Sequence, residues 1–189
     1  MKYRFETERT IIRPYKSTDA KELHRVFNTK GIYETTYAIP KINPMDRVIR
    51  WIEFVQEEMR LGTSYEFAII DDLSREYIGN CGIINVNNSV FSGSITYFID
   101  PHRWNMGYAT EVTQAMLKFG FEELRLERIS GTCMTKNPAS RRVMQKSGFS
   151  LEGTAKKELY KDGEFIDVDH LAILKEEYDQ KKSTTCQHS

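Results

Sequence analysis

Apolar positions recur along this chain with two periods, and the switches between them lay out a mixed order of strands and helices. Residues 9–15, "RTIIRPY", read as a first strand. Ala20, Leu23 and Phe27 then share one helical face, so 17–27 read as a helix with Ser17 or Thr18 as cap. Residues 30–42, "KGIYETTYAIPKI", carry no clear period and read as an aromatic loop. Asn43-Pro44 opens a second helix, with Val48, Ile52, Val55 and Met59 at helical spacing and Leu61-Gly62 at its end. Three strand-like runs follow at 64–70, 77–86 and 94–99, joined by the turn-rich "DDLSRE" and "NNSVFSG". After Gly107 the apolar stripe Val112, Ala115, Met116 and Phe119 predicts a helix. A strand at 128–134 leads to a short helix within 136–149 that Gly148 closes. Two final strands, near 150–160 and 165–174, meet at the hairpin signal "KDG", and from Glu176 the chain reads as a polar, frayed tail. The order is βαα, three meandering strands, then αβαββ, which predicts an α/β domain around one mixed, twisted sheet.

At 189 residues the chain is most simply one domain with a real core. Its 27 Lys and Arg balance 27 Asp and Glu, so no global field draws it to nucleic acid or to an anionic membrane. The N-terminus lacks the apolar core of a secretory signal, and no run approaches a membrane span. The cysteines, Cys81, Cys133 and Cys186, form neither a CxxC pair nor a metal-like cluster with the histidines. A reducing cytoplasm, no metal, and buried inert thiols at Cys81 and Cys133 are the expectations. There is no GKS or GKT phosphate loop and no GxGxxG after the first strand.

Any polyanion must therefore be gripped locally, and "RWNMGYATEV" (103–112) is the place for it. A glycine between a strand and a helix lets backbone N–H groups gather round an anion, and the helix dipole adds partial positive charge there. Further along, in "NPASRRVMQKSGF", Asn137 ends a strand, Pro138 suits a first helical turn and Ser140 points back toward the strand end. If the strands 94–99 and 128–134 are parallel neighbours, both helix starts face the carboxyl edge of the sheet, where open α/β sheets hold ligands.

Together these residues resemble the GNAT acetyltransferases, nearest the branch of the ribosomal-protein-alanine N-terminal acetyltransferases. The resemblance runs over residues 8–175 and implies a single GNAT-like domain there, followed by the tail 176–189. It rests on Trp104, Asn105, Met106, Gly107, Tyr108, Ala109, Thr110 and Glu111; on Asn137 and Ser140 before Gly148-Phe149 and Glu152-Gly153; and on Gly163 with Asp167. It implies a mixed sheet of about seven strands flanked by about four helices, with splayed central parallel strands. It also implies acetyl-CoA as co-substrate, an amine acceptor, and a homodimer as an allowed assembly.

By that resemblance Trp104, Asn105, Met106, Gly107, Tyr108 and Ala109 form the pyrophosphate loop. The backbone around Phe98 and Ile99 pairs with the pantetheine arm as an added strand. Asn137 bonds the pantetheine or a backbone group at the splay, and Ser140 lies near the sulfur as proton donor. Two departures matter. Asn105 stands where the branch has glycine, so it must adopt a left-handed conformation to let a phosphate approach. Ser94 stands where many relatives carry a glutamate credited with taking the amine's proton, and a serine is no base at neutral pH.

Acetyl transfer needs a neutral amine, a polarised thioester carbonyl and accommodation of the departing thiolate. A backbone N–H near Ile99 is the candidate for the carbonyl. Candidate bases are Glu66, Glu34, Asp167 and His170, against the plainer readings of surface charge, hairpin brace and packed histidine. Tyr33, Glu34, Tyr37 and Tyr97 are candidate acceptor contacts, and only one of Tyr97 and the oppositely facing Thr96 is expected to line the cleft. Since a weak base suits an amine of low pKa, a peptide or protein α-amine is the favoured acceptor. The alternatives are a polyamine or aminoglycoside acceptor, or an acyl-CoA sensor without turnover.

Overall fold

The segments of period two assemble into one eight-stranded sheet in the computed structural model, which describes residues 3–186. The strands are β1 (Phe5–Glu6), β2 (Thr10–Pro14), β3 (Tyr65–Asp71), β4 (Tyr77–Asn87), β5 (Ser92–Ile99), β6 (Arg128–Met134), β7 (Ser150–Lys161) and β8 (Glu164–Leu174). The helices are α1 (Ala20–Phe27), α2 (Lys30–Thr35), α3 (Met45–Leu61), α4 (Tyr108–Lys118), α5 (Pro138–Ser147) and α6 (Lys175–Cys186). In space the strands run β1-β2-β3-β4-β5-β6-β8-β7. All neighbours are antiparallel except β5 and β6, whose parallel pairing needs the crossover that α4 supplies.

Alternation along the strands divides the core between two faces. On one, Phe67, Ile69, Ile83 and Ile95 pack with Val112, Met116 and Phe119 of the α4 segment. On the other, Ala68, Ile70 and Phe98 pack with Leu23 and Val26 of α1 and with Val48, Ile52 and Val55 of α3. Edge-to-face contacts such as Phe67–Phe119, with centroids 5.7 Å apart, add about 1 kcal/mol each beyond the area they bury.

The central parallel pair is short. Register holds only for Ser92↔Arg128, Gly93↔Ile129 and Ser94↔Ser130. The Ser94 and Ser130 hydroxyls meet at 2.8 Å, and beyond them β5 and β6 continue without pairing. That splay opens a gap in the sheet.

Several elements differ from the sequence reading. Among the described residues the sheet has eight strands where about seven are expected, with short β1 as an added edge, and there are six α-helices where about four are expected. Residues 30–35 are helical, although nothing in their pattern announces it, because tertiary contacts capture α2. Ile32 is buried, the Asn137 side chain donates to Thr35 O at 3.1 Å, and Lys161 Nζ donates to Thr36 O at 2.6 Å. The expected frayed tail is α6. Glu177 accepts the Leu174 N–H at 2.8 Å, Tyr178 stacks on Phe121 at 5.0 Å, and the Tyr178 hydroxyl donates to Glu122 at 2.8 Å. Residues 187–189 of that tail lie outside the described residues. Neither Ser17 nor Thr18 caps α1: both lie in a 3₁₀ turn, and Asp19, paired with Arg13 at 2.7 Å, holds the Lys16 N–H at 2.8 Å instead.

Candidate active site

Where β5 and β6 part, a cavity of about 870 Å³ opens, lined from both faces of the sheet, from the starts of α4 and α5, and from the segment after α2. Thr96 and Tyr97 both line it. The expectation that only one would do so fails because the cavity passes through the sheet rather than along one side.

The loop before α4 is built from conformations that few residues accept. Asn105 sits at φ +61°, the left-handed state its place requires, and Gly107 at φ +86° is the N-cap of α4. The first-turn N–H groups of α4 then point out of the helix end with its dipole. Their support comes from the far side. Arg9 pairs with Glu111 at 2.6 Å, donates to Met106 O at 2.8 Å and lies over the Tyr108 ring at 4.5 Å. The Tyr108 hydroxyl donates to Asp71 at 2.5 Å. That bond and the Ser74 N–H hold the Asp71 carboxyl down at about 2. Trp104 sends its indole N–H to Ile99 O at 2.7 Å and packs over Gly31 of α2. The Asp100 N–H donates to Ile78 O, so strand alternation turns the Ile99 main chain the other way, toward the gap.

At the start of α5, Asn137 is the capping residue: its Oδ1 accepts the Ser140 N–H at 3.1 Å while its amide reaches back to α2. The Ser140 side chain is thereby released from capping. Its Oγ lies 2.9 Å from the Tyr97 hydroxyl, which also donates to Ser140 O at 3.1 Å. Burial raises the Tyr97 hydroxyl above its ordinary range and keeps it protonated.

Glu66 enters the cavity from β3. In register, Glu66 faces Gly82 on β4, and Gly82 faces Thr96 on β5. A Cβ at Gly82 would stand 2.3 Å from Tyr65 O and 3.1 Å from Glu66 Cγ, so the missing side chain is what lets the carboxylate lie across β4. The Asn80 amide donates to Glu66 Oε2 at 2.9 Å; Asn80 Oδ1 accepts from the Tyr15 hydroxyl at 3.0 Å; Tyr15 and Tyr77 hydroxyls meet at 3.0 Å. With the one Tyr15 proton given to Asn80, Tyr77 must donate to Tyr15, which fixes the direction of the chain. Burial pushes the Glu66 carboxyl up to about 7, and the Asn80 hydrogen bond opposes that rise.

These features meet a family in known proteins. Residues 9–150 match the acetyltransferase (GNAT) domain. The chain belongs to that family. As a GNAT N-acetyltransferase it is similar to the uncharacterized N-acetyltransferase YoaA of Bacillus subtilis, 27% identical over 90% of this chain and 96% of the relative. It is 26% identical to the L-amino acid N-acetyltransferase AaaT of Escherichia coli, over 87% of this chain and 98% of that one. Among solved structures, a ribosomal-protein α-N-acetyltransferase bound to coenzyme A superposes with TM-score 0.84 at 17% identity, covering 91% of this chain and 98% of its own. A spermidine N-acetyltransferase from Vibrio cholerae, bound to CoA and spermine, superposes at 0.79 and 21%, covering 89% and 97%. Both likenesses speak for the fold.

Of the residues singled out in the sequence of this GNAT enzyme, Glu66, Tyr37, Tyr97, Phe98, Ile99, Trp104, Asn105, Gly107, Tyr108, Ala109, Asn137 and Ser140 line the cavity. Met106 does not; it contributes the carbonyl that Arg9 holds. Asp167 lies outside it too, bound to Lys156 at 2.9 Å and to the Lys157 N–H at 2.8 Å, bracing an irregularity of β7 where Lys157 has φ +54°. His170 bonds Glu158 at 2.5 Å, and exposed Glu34 pairs with Lys30 at 3.5 Å. Tyr33 donates to Asp162, with Lys161 Nζ 4.0 Å from its ring, so it ties the β7–β8 hairpin to α2 rather than touching the cavity. Cys81 is buried, and Cys133 lines the cavity as a thiol that burial pushes up to about 11. No cluster of His, Cys, Asp and Glu suited to a metal occurs among the described residues, and none of their helices is long and apolar enough to cross a membrane.

Sequence reasoning missed Asn80, Gly82, Tyr15 and Tyr77, which support Glu66, and the cavity cations Arg47, Arg142 and Lys146. An available signal was the i,i+4 spacing of Arg142 and Lys146, which puts two positive charges on one side of α5.

Proposed function

We propose that this enzyme moves the acetyl group of acetyl-CoA to the α-amine of a peptide or protein, as in the ribosomal-protein N-acetyltransferase branch. The observation that carries the reading is Glu66, a carboxyl held near 7 inside the cavity. Passing a proton from an α-amine of pKa near 7.8 to such a base costs about 1 kcal/mol, whereas a lysine near 10.4 costs about 4–5. A spermidine-like acceptor finds little here: Glu66 is the one carboxylate of the lining, among Arg47, Arg103, Arg142 and Lys146.

In this reading the α4 N-terminus takes the diphosphate of the donor, and Arg142 and Lys146, which make no ion pair among the described residues, face its remaining phosphate. The Ile99 main chain, turned to the gap, polarises the thioester carbonyl. The amine nitrogen bonds to the acetyl carbon, its proton passes to Glu66, and the carbon–sulfur bond breaks. Ser140 receives the departing thiolate. When the Tyr97 proton turns from Ser140 O to Ser140 Oγ, the serine O–H is freed to donate to sulfur.

The test is thiol release from acetyl-CoA with matched peptides. An N-terminally free peptide without lysine should turn over at least tenfold faster, in kcat/KM at pH 7.5, than the same peptide blocked at its N-terminus and carrying one lysine. Equal or inverted rates overturn the α-amine reading.

A further inference from the structure

We infer that Arg47 forms an anion subsite for the acceptor, so that the favoured substrate is an α-amine that also carries a carboxylate. This deepens the reading of the cavity as an α-amine site and rests on it. Arg47 lies in the first turn of α3 and lines the cavity. Asp46 beside it pairs with Arg50 at 2.7 Å, while the Arg47 guanidinium makes no ion pair or hydrogen bond among the described residues. A lone cation at a cavity wall lowers the cost of bringing an anion there.

Its position separates it from the donor phosphates. Its neighbour Val48 belongs to the apolar cluster of the α1/α3 face, whereas the first turns of α4 pack on the opposite face of the sheet. Glu66 stands on the Arg47 side, and a set of contacts runs from Glu66 to Trp51, one helical turn from Arg47. One helical turn after Arg47, Trp51 lines the cavity and meets Tyr15 edge-to-face at 5.2 Å. Tyr15 donates to Asn80, and Asn80 donates to Glu66. The acceptor space therefore has a proton-accepting carboxylate at one end and an open guanidinium at the other, about a helical turn beyond Trp51. A molecule that carries both an amine and a carboxylate matches both ends. A polycation matches only Glu66 and meets Arg47 with like charge.

The carboxylate has two sources: the α-carboxyl of a free amino acid, or an acidic side chain near a peptide N-terminus. Thiol release should be measured with free amino acids against their amides, and with peptides bearing Glu against Gln at the second position. The carboxylate member of at least one series is expected to have a kcat/KM at least tenfold higher, through KM. A preference confined to either series supports the subsite and names its source. In Arg47→Gln the preference should vanish while rates with amides and Gln peptides stay within twofold. Arg47→Lys should restore part of it, and the Kd for CoA should be unchanged. No preference in the wild-type enzyme, or equal losses for charged and neutral acceptors in Arg47→Gln, overturns the subsite. A tenfold weaker Kd for CoA in Arg47→Gln also overturns it by assigning the arginine to the donor. Failure of every α-amine to release thiol would instead overturn the α-amine reading itself.

Discussion

Replacing Glu66 by Gln tests the placement of a proton acceptor inside the fold, and it does so with two readouts of opposite sign. Burial lifts this carboxyl from an ordinary 4.5 to about 7, so the native state prefers it neutral. The sign follows by linkage: stability from the neutral form is complete below pH 4.5 and is lost as pH rises through 7. At about 1.4 kcal/mol per pH unit, the gap from 4.5 to about 7 amounts to about 3 kcal/mol lost by pH 8. Gln keeps the shape and still accepts from Asn80, but it does not ionise. The variant should therefore gain on the wild type by under about 1 kcal/mol at pH 5 and by about 3 kcal/mol at pH 8. Urea unfolding at pH 5, 6, 7 and 8 reads this directly. Activity should move the other way, with kcat/KM falling about 10- to 100-fold at pH 7.5. An acceptor whose amine is neutral throughout isolates the base, and its rise in rate with an apparent pKa near 7 should disappear in the variant. Parallel stability curves for the two proteins would refute the buried, elevated carboxyl. A stability difference with an unchanged rate profile would leave Glu66 buried and deny it the proton.

Three further substitutions probe the remaining parts. Gly107→Val places a β-branched residue at φ +86° and should weaken CoA binding at least tenfold, while Gly107→Asn, tolerant of that φ, should bind within a few-fold; calorimetry compares them. Ser140→Ala should lower kcat about tenfold or more with little change in CoA affinity, because Asn137, not the serine hydroxyl, caps α5; equal losses in both would make the serine structural. Gly82→Ala drives a methyl to 2.3 Å from Tyr65 O, so it should lower the unfolding midpoint and displace Glu66, seen as loss of the rate limb near pH 7 in whatever protein folds.

What the sequence makes legible is whatever depends on local pattern. Period and turn residues place β3, β4, β5 and β6 and the helix between Gly107 and β6, since each sends its apolar positions into the core at its own period. The resemblance, which sets Asn105 where the branch has glycine, asks a left-handed conformation there, and the chain adopts φ +61°. Long-range capture leaves no such trace: α2 exists because Asn137 and Lys161, each more than a hundred positions away, take its terminal carbonyls. Charges mislead for the same reason. Asp167, Glu34 and Glu66 are equally acidic on paper, and only strand register with a glycine opposite turns one of them inward.

The parting of β5 from β6 after Ser94 bears on how long the polypeptide survives a protease. Three register pairs and a hydroxyl contact are all the ladder offers between one group of five strands and another of three. On the donor placement proposed above, a thioester arm bonded along the open main chain would work as a keystone, and at a hundredfold excess over its Kd would add about 2.7 kcal/mol to the native state. Without that ligand the native state would lose this increment, and the purified protein should be cut faster by a protease than in its presence.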